Sequence, residues 1–208
     1  ACGENGTGRF PEPKSILEHT LKYIRENQIL KNQFKDISIL ITAGPTIEEI
    51  DPIRFVSNKS SGKQGFEIAS ELTRRGAQVT LISGPVNIPF PNCKNIIQVK
   101  TAKEMLDSVN QQLPADVLIC SAAVADWKLI PKTSSNNKID TNNKIKKTNK
   151  KLFFETEKNP DILETISKSN VRPKIVIGFS AETTNINQNA HSKLMSKNID
   201  LIIANDVS

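Results

Sequence analysis

Histidine, cysteine and aromatic residues are scarce in this chain, and each shortage removes a class of function. With only His19 and His191 present, a histidine-rich metal site or a Ser-His-Asp triad lacks its parts. The three cysteines, Cys2, Cys93 and Cys120, are odd in number and widely spaced, so they fit neither a metal-ligand spacing nor a disulfide framework. A reducing cytosol is their simplest setting, and a cytoplasmic location is expected. No apolar run approaches the ~20 residues of a membrane span. No charged-then-apolar leader opens the sequence, so no membrane partner is expected. An initiator methionine is also missing, and the opening Ala1-Cys2-Gly3 reads as cut from something longer.

Glycine is absent from residues 131–151, which consist almost wholly of Pro, Lys, Thr, Ser, Asn, Asp and Ile. Such composition suits a disordered insertion. The alternative is a mobile loop that orders over a polyanion. Residues 128–151 hold eight lysines against the single acid Asp140, an excess larger than the +6 of the whole 208-residue chain. The remainder is therefore about neutral. One basic loop without interleaved aromatics makes a poor nucleic-acid platform, so no nucleic-acid partner is expected. It makes a reasonable lid for one highly charged ligand.

What is present is an alternation of short apolar runs with helical periodicity. Strands are predicted at 37–43, 77–83, 95–99, 115–121, 174–180 and 199–204, and helices at 15–27, 64–76, 102–113, 160–169 and 186–198. Several strands are near-continuous β-branched runs, as expected when both faces of a parallel sheet are covered. Gly76 is placed to end one helix, and Thr101 and Asn159 to cap two others, the latter with Pro160 at the first helical position. The pattern predicts a Rossmann-like, doubly wound α/β fold, mostly parallel, with helices on both faces.

The most informative stretch follows the first strand: Asp51-Pro-Ile-Arg-Phe-Val-Ser-Asn-Lys-Ser-Ser-Gly-Lys-Gln-Gly65. A strand, a loop of hydroxyls, amides and glycines, then a helix N-terminus is how α/β proteins build an anion site. It is no Walker A loop, because position 57 is Ser and position 64 is Gln. Gly62-x-x-Gly65 is only the tail of a dinucleotide fingerprint. A plain solvated loop is the bland alternative. Ligands of such sheets collect beyond the carboxyl ends of the strands. That rule brings this loop together with 121–127, 180–183 and 205–208.

These residues carry a resemblance. Ile41-Thr-Ala-Gly-Pro-Thr46, the 51–65 loop, Val79-Thr-Leu-Ile-Ser-Gly-Pro85, Ala122-Ala-Val-Ala-Asp-Trp127, Lys144-Ile-Lys-Lys147, Lys158-Asn-Pro-Asp161, Gly178-Phe-Ser-Ala-Glu-Thr183 and Ala204-Asn-Asp-Val-Ser208 occur in family order. Together they resemble the synthetase domain of the bifunctional phosphopantothenoylcysteine synthetase/decarboxylase of coenzyme A biosynthesis, from about residue 36 onward. Residues 1–13 resemble the end of the flavin-dependent decarboxylase half, with 14–35 as a linker helix and 36–208 as the synthetase domain. Two departures stand out. Pro45 sits where the family has Gly, and the family continues past the last residue here with further strand and helix.

The resemblance implies a CTP-dependent ligase joining 4′-phosphopantothenate to L-cysteine with Mg²⁺. FMN would serve only the decarboxylase half, where Cys2 would be the proton donor. It implies catalytic roles for Asn58 and Lys144, and nucleotide contacts from Cys120, Ser121, Ala122, Asp126, Glu157, Lys158, Asn159, Pro160, Phe179, Lys193 and Lys197. Ser60, Ser61 and Gly62 would hold the substrate phosphate; Arg54 would pair either with that phosphate or with Asp51. Trp127 is open between ligand stacking and the core. No residue is assigned to the metal. A homodimer or higher homo-oligomer is implied for the full-length protein. A non-catalytic flavin- or dinucleotide-binding protein on the same fold is the rival reading.

Overall fold

The computed structural model describes residues 12–148 and 151–208. Cys2 and most of the expected decarboxylase remnant lie outside the described residues. Helix α1 (Pro13–Lys31) leads into strand β1 (Ser38–Ala43). A small hairpin of β2 (Ile47–Glu49) and β3 (Phe55–Ser57) precedes helix α2 (Lys63–Arg74), and β4 (Gln78–Ser83), β5 (Asn95–Gln98) and helix α3 (Ala102–Gln111) follow. Next come β6 (Val117–Cys120), a second hairpin of β7 (Trp127–Lys132) and β8 (Phe153–Lys158), and α4 (Ile162–Ser167). The described chain closes with β9 (Ile175–Glu182), α5 (Ile186–Ser196) and β10 (Leu201–Asp206).

Six strands form one sheet in the order β5-β4-β1-β6-β9-β10, all parallel. The chain builds outward from β1 to β5, then crosses back to β6 on the other side of β1. That is the Rossmann order, and it opens a crevice beyond the carboxyl ends of β1 and β6.

Side chains alternate across each strand and so serve two cores. Leu40, Ile82, Leu118 and Val176 meet Met105 and Val109 of α3 and Ile162 and Ile166 of α4 on one face. Ile39, Ile41, Val79, Leu81 and Ile119 meet Phe66 and Ala69 of α2 on the other. Burial on both faces is what the β-branched runs foretold.

Caps fix the helix ends. Thr101 caps α3, its hydroxyl accepting from the Glu104 N–H at 3.1 Å. Gly76, at φ 93°, lets the chain leave α2, with the Ala77 N–H donating to the Leu72 carbonyl at 3.0 Å. The expectation for Asn159 needs correction: α4 is capped by Asp161, whose Oδ1 accepts from the Glu164 N–H at 2.9 Å. The Asn159 amide instead donates to the Ala125 carbonyl at 2.8 Å, and Pro160 precedes the cap rather than opening the helix.

Both hairpins escaped prediction. Strands β2 and β3 have three residues each, too few to show a period. Strand β7 contains Pro131, and β8 is exposed along its whole length, so neither alternates. The insertion at 131–151 therefore starts at the end of an ordered antiparallel ladder and leads back to it, with Lys132 opposite Phe153.

Candidate functional site

Two loops at the carboxyl ends of β1 and β6 are zipped together by main-chain bonds. The Ala123 N–H donates to the Gly44 carbonyl at 2.9 Å, and the Thr46 N–H donates to the Ala123 carbonyl at 3.3 Å. The Thr46 hydroxyl, fully buried, accepts from the Ala125 N–H at 2.9 Å. The Ser121 N–H and hydroxyl both donate to the Thr42 carbonyl, at 3.0 and 2.9 Å. Small residues make this possible. A Cβ on Gly65 would lie 2.4 Å from Ser121 Oγ and 2.6 Å from Ala43 Cβ, so only glycine lets the first turn of α2 come this close.

Above the zipper lies a cleft of about 740 Å³. Its floor is the run from Cys120 to Trp127, with Thr42; one wall is Lys158 to Glu164; the other is Phe179 to Ala181 with Lys193, Lys197 and Asn205; Asn58 and Gln64 stand at the mouth. The structure thus brings together Asn58, Cys120, Ser121, Ala122, Asp126, Lys158, Asn159, Pro160, Phe179, Lys193 and Lys197. The Asn58 side chain is fastened there, its Nδ2 donating to the Val124 carbonyl at 2.9 Å. Asn159 closes the wall onto the floor, its N–H donating to the Asp126 carbonyl at 2.9 Å.

Other expected residues lie outside the lining. Ser60, Ser61 and Gly62 sit next to it at the start of α2, where Gly62 takes φ 74°. Ser60 Oγ accepts from the Gly62 N–H at 3.2 Å, and Ser61 Oγ accepts from the Lys63 N–H at 3.3 Å. These are the donors an anion would use, each covered by a neighbouring hydroxyl. Glu157 is exposed on β8 across from Lys128. Lys144 is exposed on the insertion. Arg54 Nη1 lies 3.0 Å from Asp51 Oδ2. Trp127 is 46% exposed and lines the cleft rather than the core, with Lys158 Nζ 5.8 Å from its ring centre.

Charge in the cleft is arranged in pairs. Lys193 Nζ lies 3.6 Å from Glu182 Oε1, and Lys197 is ion-paired with Asp161. Glu182 is held below the usual carboxylate range, chiefly by the Ser180 hydroxyl at 2.5 Å and also by Asn189 and Lys193. Sequence reasoning quoted both acids within motifs but gave neither a role. Their partners arrive from α5, and only the topology brings them within reach. Burial pushes the Cys120 thiol up to about 12, so on the cleft floor it stays protonated and is no nucleophile.

Among the described residues, no three His, Cys, Asp or Glu side chains come together as a metal cluster. The cleft offers Asp126, Asp161 and Glu164 singly. Such a donor set suits a hard divalent ion carried mainly by ligand phosphates, with one or two carboxylates from the protein. No helix among the described residues is long and apolar enough to cross a membrane.

Comparison with known proteins matches residues 34–208 to the DNA/pantothenate metabolism flavoprotein C-terminal domain. The whole chain aligns at 40% identity with the coenzyme A biosynthesis bifunctional protein CoaBC of Haemophilus influenzae, covering 49% of that protein. It aligns at 43% identity with the CoaBC of Borreliella burgdorferi, covering 51%. The chain therefore spans about half the length of the curated relatives it matches. Among solved structures, the C-terminal domain of a CoaBC protein superposes with a TM-score of 0.70 at 39% identity, over 85% of this chain and 81% of that one.

Proposed function

The chain belongs to the DNA/pantothenate metabolism flavoprotein C-terminal domain family, and on that premise we propose that it is the ligase portion of a coenzyme A biosynthesis enzyme. In this reading it joins 4′-phosphopantothenate to L-cysteine. The pantothenate carboxylate attacks the α-phosphorus of CTP, the bond to the β-phosphate breaks, and pyrophosphate leaves. The cysteine amine then attacks the acyl carbon of the acyl-cytidylate. It loses a proton as the amide forms, and CMP departs.

The observation that carries this reading is the cleft, where two paired lysines from the C-terminal end of α5 and its cap face a main-chain floor at the switch point of the sheet. Its 740 Å³ lies within the range of cofactor-sized sites. Lys193 on α5 and Lys197, the residue that caps its C-terminal end, offer point charges to phosphate oxygens that move during reaction. The Asn58 amide both donates and accepts, so it steadies the acyl oxygen without adding charge near the leaving phosphate. Ser60, Ser61 and the first N–H groups of α2 hold the substrate phosphate once their hydroxyl covers turn away. Lys144 supplies a further cation to the nucleotide as its loop closes.

Mg²⁺, when bound, neutralises triphosphate oxygens. Asp126 would be the residue to hold it, because Asp161 is already committed to Lys197 and to the cap of α4, and Glu164 to Lys168. FMN belongs to a decarboxylase half, and no described residue is assigned to it. A non-catalytic dinucleotide binder on this fold leaves the lysine pairs and the lysine-rich insertion unexplained.

Calorimetric titration with CTP, ATP, NAD and FMN, each with and without Mg²⁺, tests the reading. A CTP response that requires Mg²⁺, with pyrophosphate released only when phosphopantothenate is added, supports it. A response to NAD or FMN alone overturns it.

A further inference from the structure

Asp51 is a charged side chain with no exposed surface, at the tip of the β2–β3 hairpin and outside the cleft lining. Its two oxygens do different work. Oδ1 accepts from the Ile53 and Arg54 N–H groups at 2.9 and 2.8 Å, which closes the hairpin turn. Oδ2 accepts from Arg54 Nη1 at 3.0 Å and from the Ile145 N–H at 3.2 Å. The Arg54 guanidinium then turns back on the same residue, with Nη1 and Nη2 each 3.4 Å from the Ile145 carbonyl oxygen. One ion pair therefore grips both polar groups of one peptide residue 94 positions away. That residue is the immediate neighbour of Lys144.

We propose that Asp51 is a positioning residue for Lys144: with Arg54 it forms a latch that fixes the register of the lysine-rich insertion against the hairpin that also carries Asn58. This rests on the ligase reading, since it takes its purpose from the roles of Lys144 and Asn58 there. The geometry explains why a buried carboxylate is used rather than a neutral turn residue. Closing the turn needs one acceptor, which Asn or Ser supplies as well. Gripping an N–H and a guanidinium together needs a second acceptor on the same side chain, and only a carboxylate has acceptor capacity on both oxygens.

The test is Asp51→Asn. Its Oδ1 keeps the turn, while its amide nitrogen points a donor at two donors and opens the latch. Amide hydrogen exchange at Ile145 is read first, because it needs no activity. Exchange should accelerate in Asp51→Asn while the amides of β1 and β4 keep their protection. Unchanged exchange at Ile145 overturns the latch.

Pyrophosphate release is read next in a double-mutant cycle with Lys144→Gln. Asp51→Asn alone should lower kcat on the order of 10²-fold, the cost of misplacing a catalytic group by about an ångström. In the Lys144→Gln background it should add nothing, because the group it positions is gone. Additive losses show that Asp51 acts elsewhere and sink the proposal. Should Asp51→Asn fail to fold, Arg54→Gln carries the same test, because the Arg54 side chain is 45% exposed and its loss leaves the turn intact. A full-length enzyme that releases no pyrophosphate removes the ligase reading, and with it the catalytic purpose of the latch; the Ile145 exchange separates that outcome from failure of the latch itself.

Discussion

Replacing Thr46 with valine swaps a hydroxyl for a methyl at nearly the same shape, at a residue with no exposed surface. The lost oxygen is the acceptor for the Ala125 N–H, and Ala125 is only 3% exposed, so water cannot take its place. A buried donor left unpaired costs ~1–3 kcal/mol. For a domain of this size each kcal/mol lowers Tm by ~2–4 °C, so Thr46→Val should melt about 2–12 °C below the parent. Thr46→Ser is the control. It keeps the hydroxyl and loses one methyl, about 0.8 kcal/mol of burial, and should fall between the two. Urea midpoints at constant m-value measure the ranking. The same variants should rank alike in nucleotide affinity, because Ala125 precedes Asp126 on the cleft floor. A Thr46→Val protein as stable as the parent, or less harmed than Thr46→Ser, would refute the assignment of that bond as a structural tie.

Three further outcomes are expected. Asn58→Ala should cut amide product on the order of 10²-fold, the usual loss for one preorganised donor, and unchanged turnover in a coupled CMP assay would reduce Asn58 to turn structure. Asp161→Asn keeps an acceptor for the cap of α4 but releases Lys197, so inorganic pyrophosphate should compete for the cleft about two- to five-fold better; a lower Tm with unchanged competition would show that the pair is only structural. Asp116 is held well below its ordinary value of 3.8 by the Lys174 ammonium and by the N–H and hydroxyl of Ser38. A depressed folded pKa stabilises above the unfolded value and is lost as pH falls through the folded one. The stability gap between the parent and Asp116→Asn should therefore be full at neutral pH and shrink below about pH 4, and a gap that stays constant on acidification would contradict the sign.

The central sheet was legible because its strands are buried on both faces and so written as apolar runs. Each of the six predicted strands has its counterpart, from Ser38–Ala43 to Leu201–Asp206. The hairpins were illegible because three-residue strands and a wholly exposed β8 carry no period. The convergence of the loops after β1, β6 and β9 followed from one rule of sheet topology. What eluded the sequence is pairing. Nothing local says that Asp161 meets Lys197, that Glu182 meets Lys193, or that Asp51 reaches Ile145. Each joins residues whose separation along the chain conceals their neighbourhood in space, and each turns an ordinary surface charge into part of the cleft or of the loop beside it.

The zipper of Gly44–Thr46 against Ala123–Ala125 has a corollary for variation and engineering. Peptide groups rather than side chains form most of its rungs, so the rungs themselves depend little on which side chains Ala123 or Ala125 carry. Inserting or deleting a single residue in either segment would shift every rung out of phase. Spacing there should prove far less forgiving than spelling, and redesign of ligand preference is better begun at the cleft walls than on its floor.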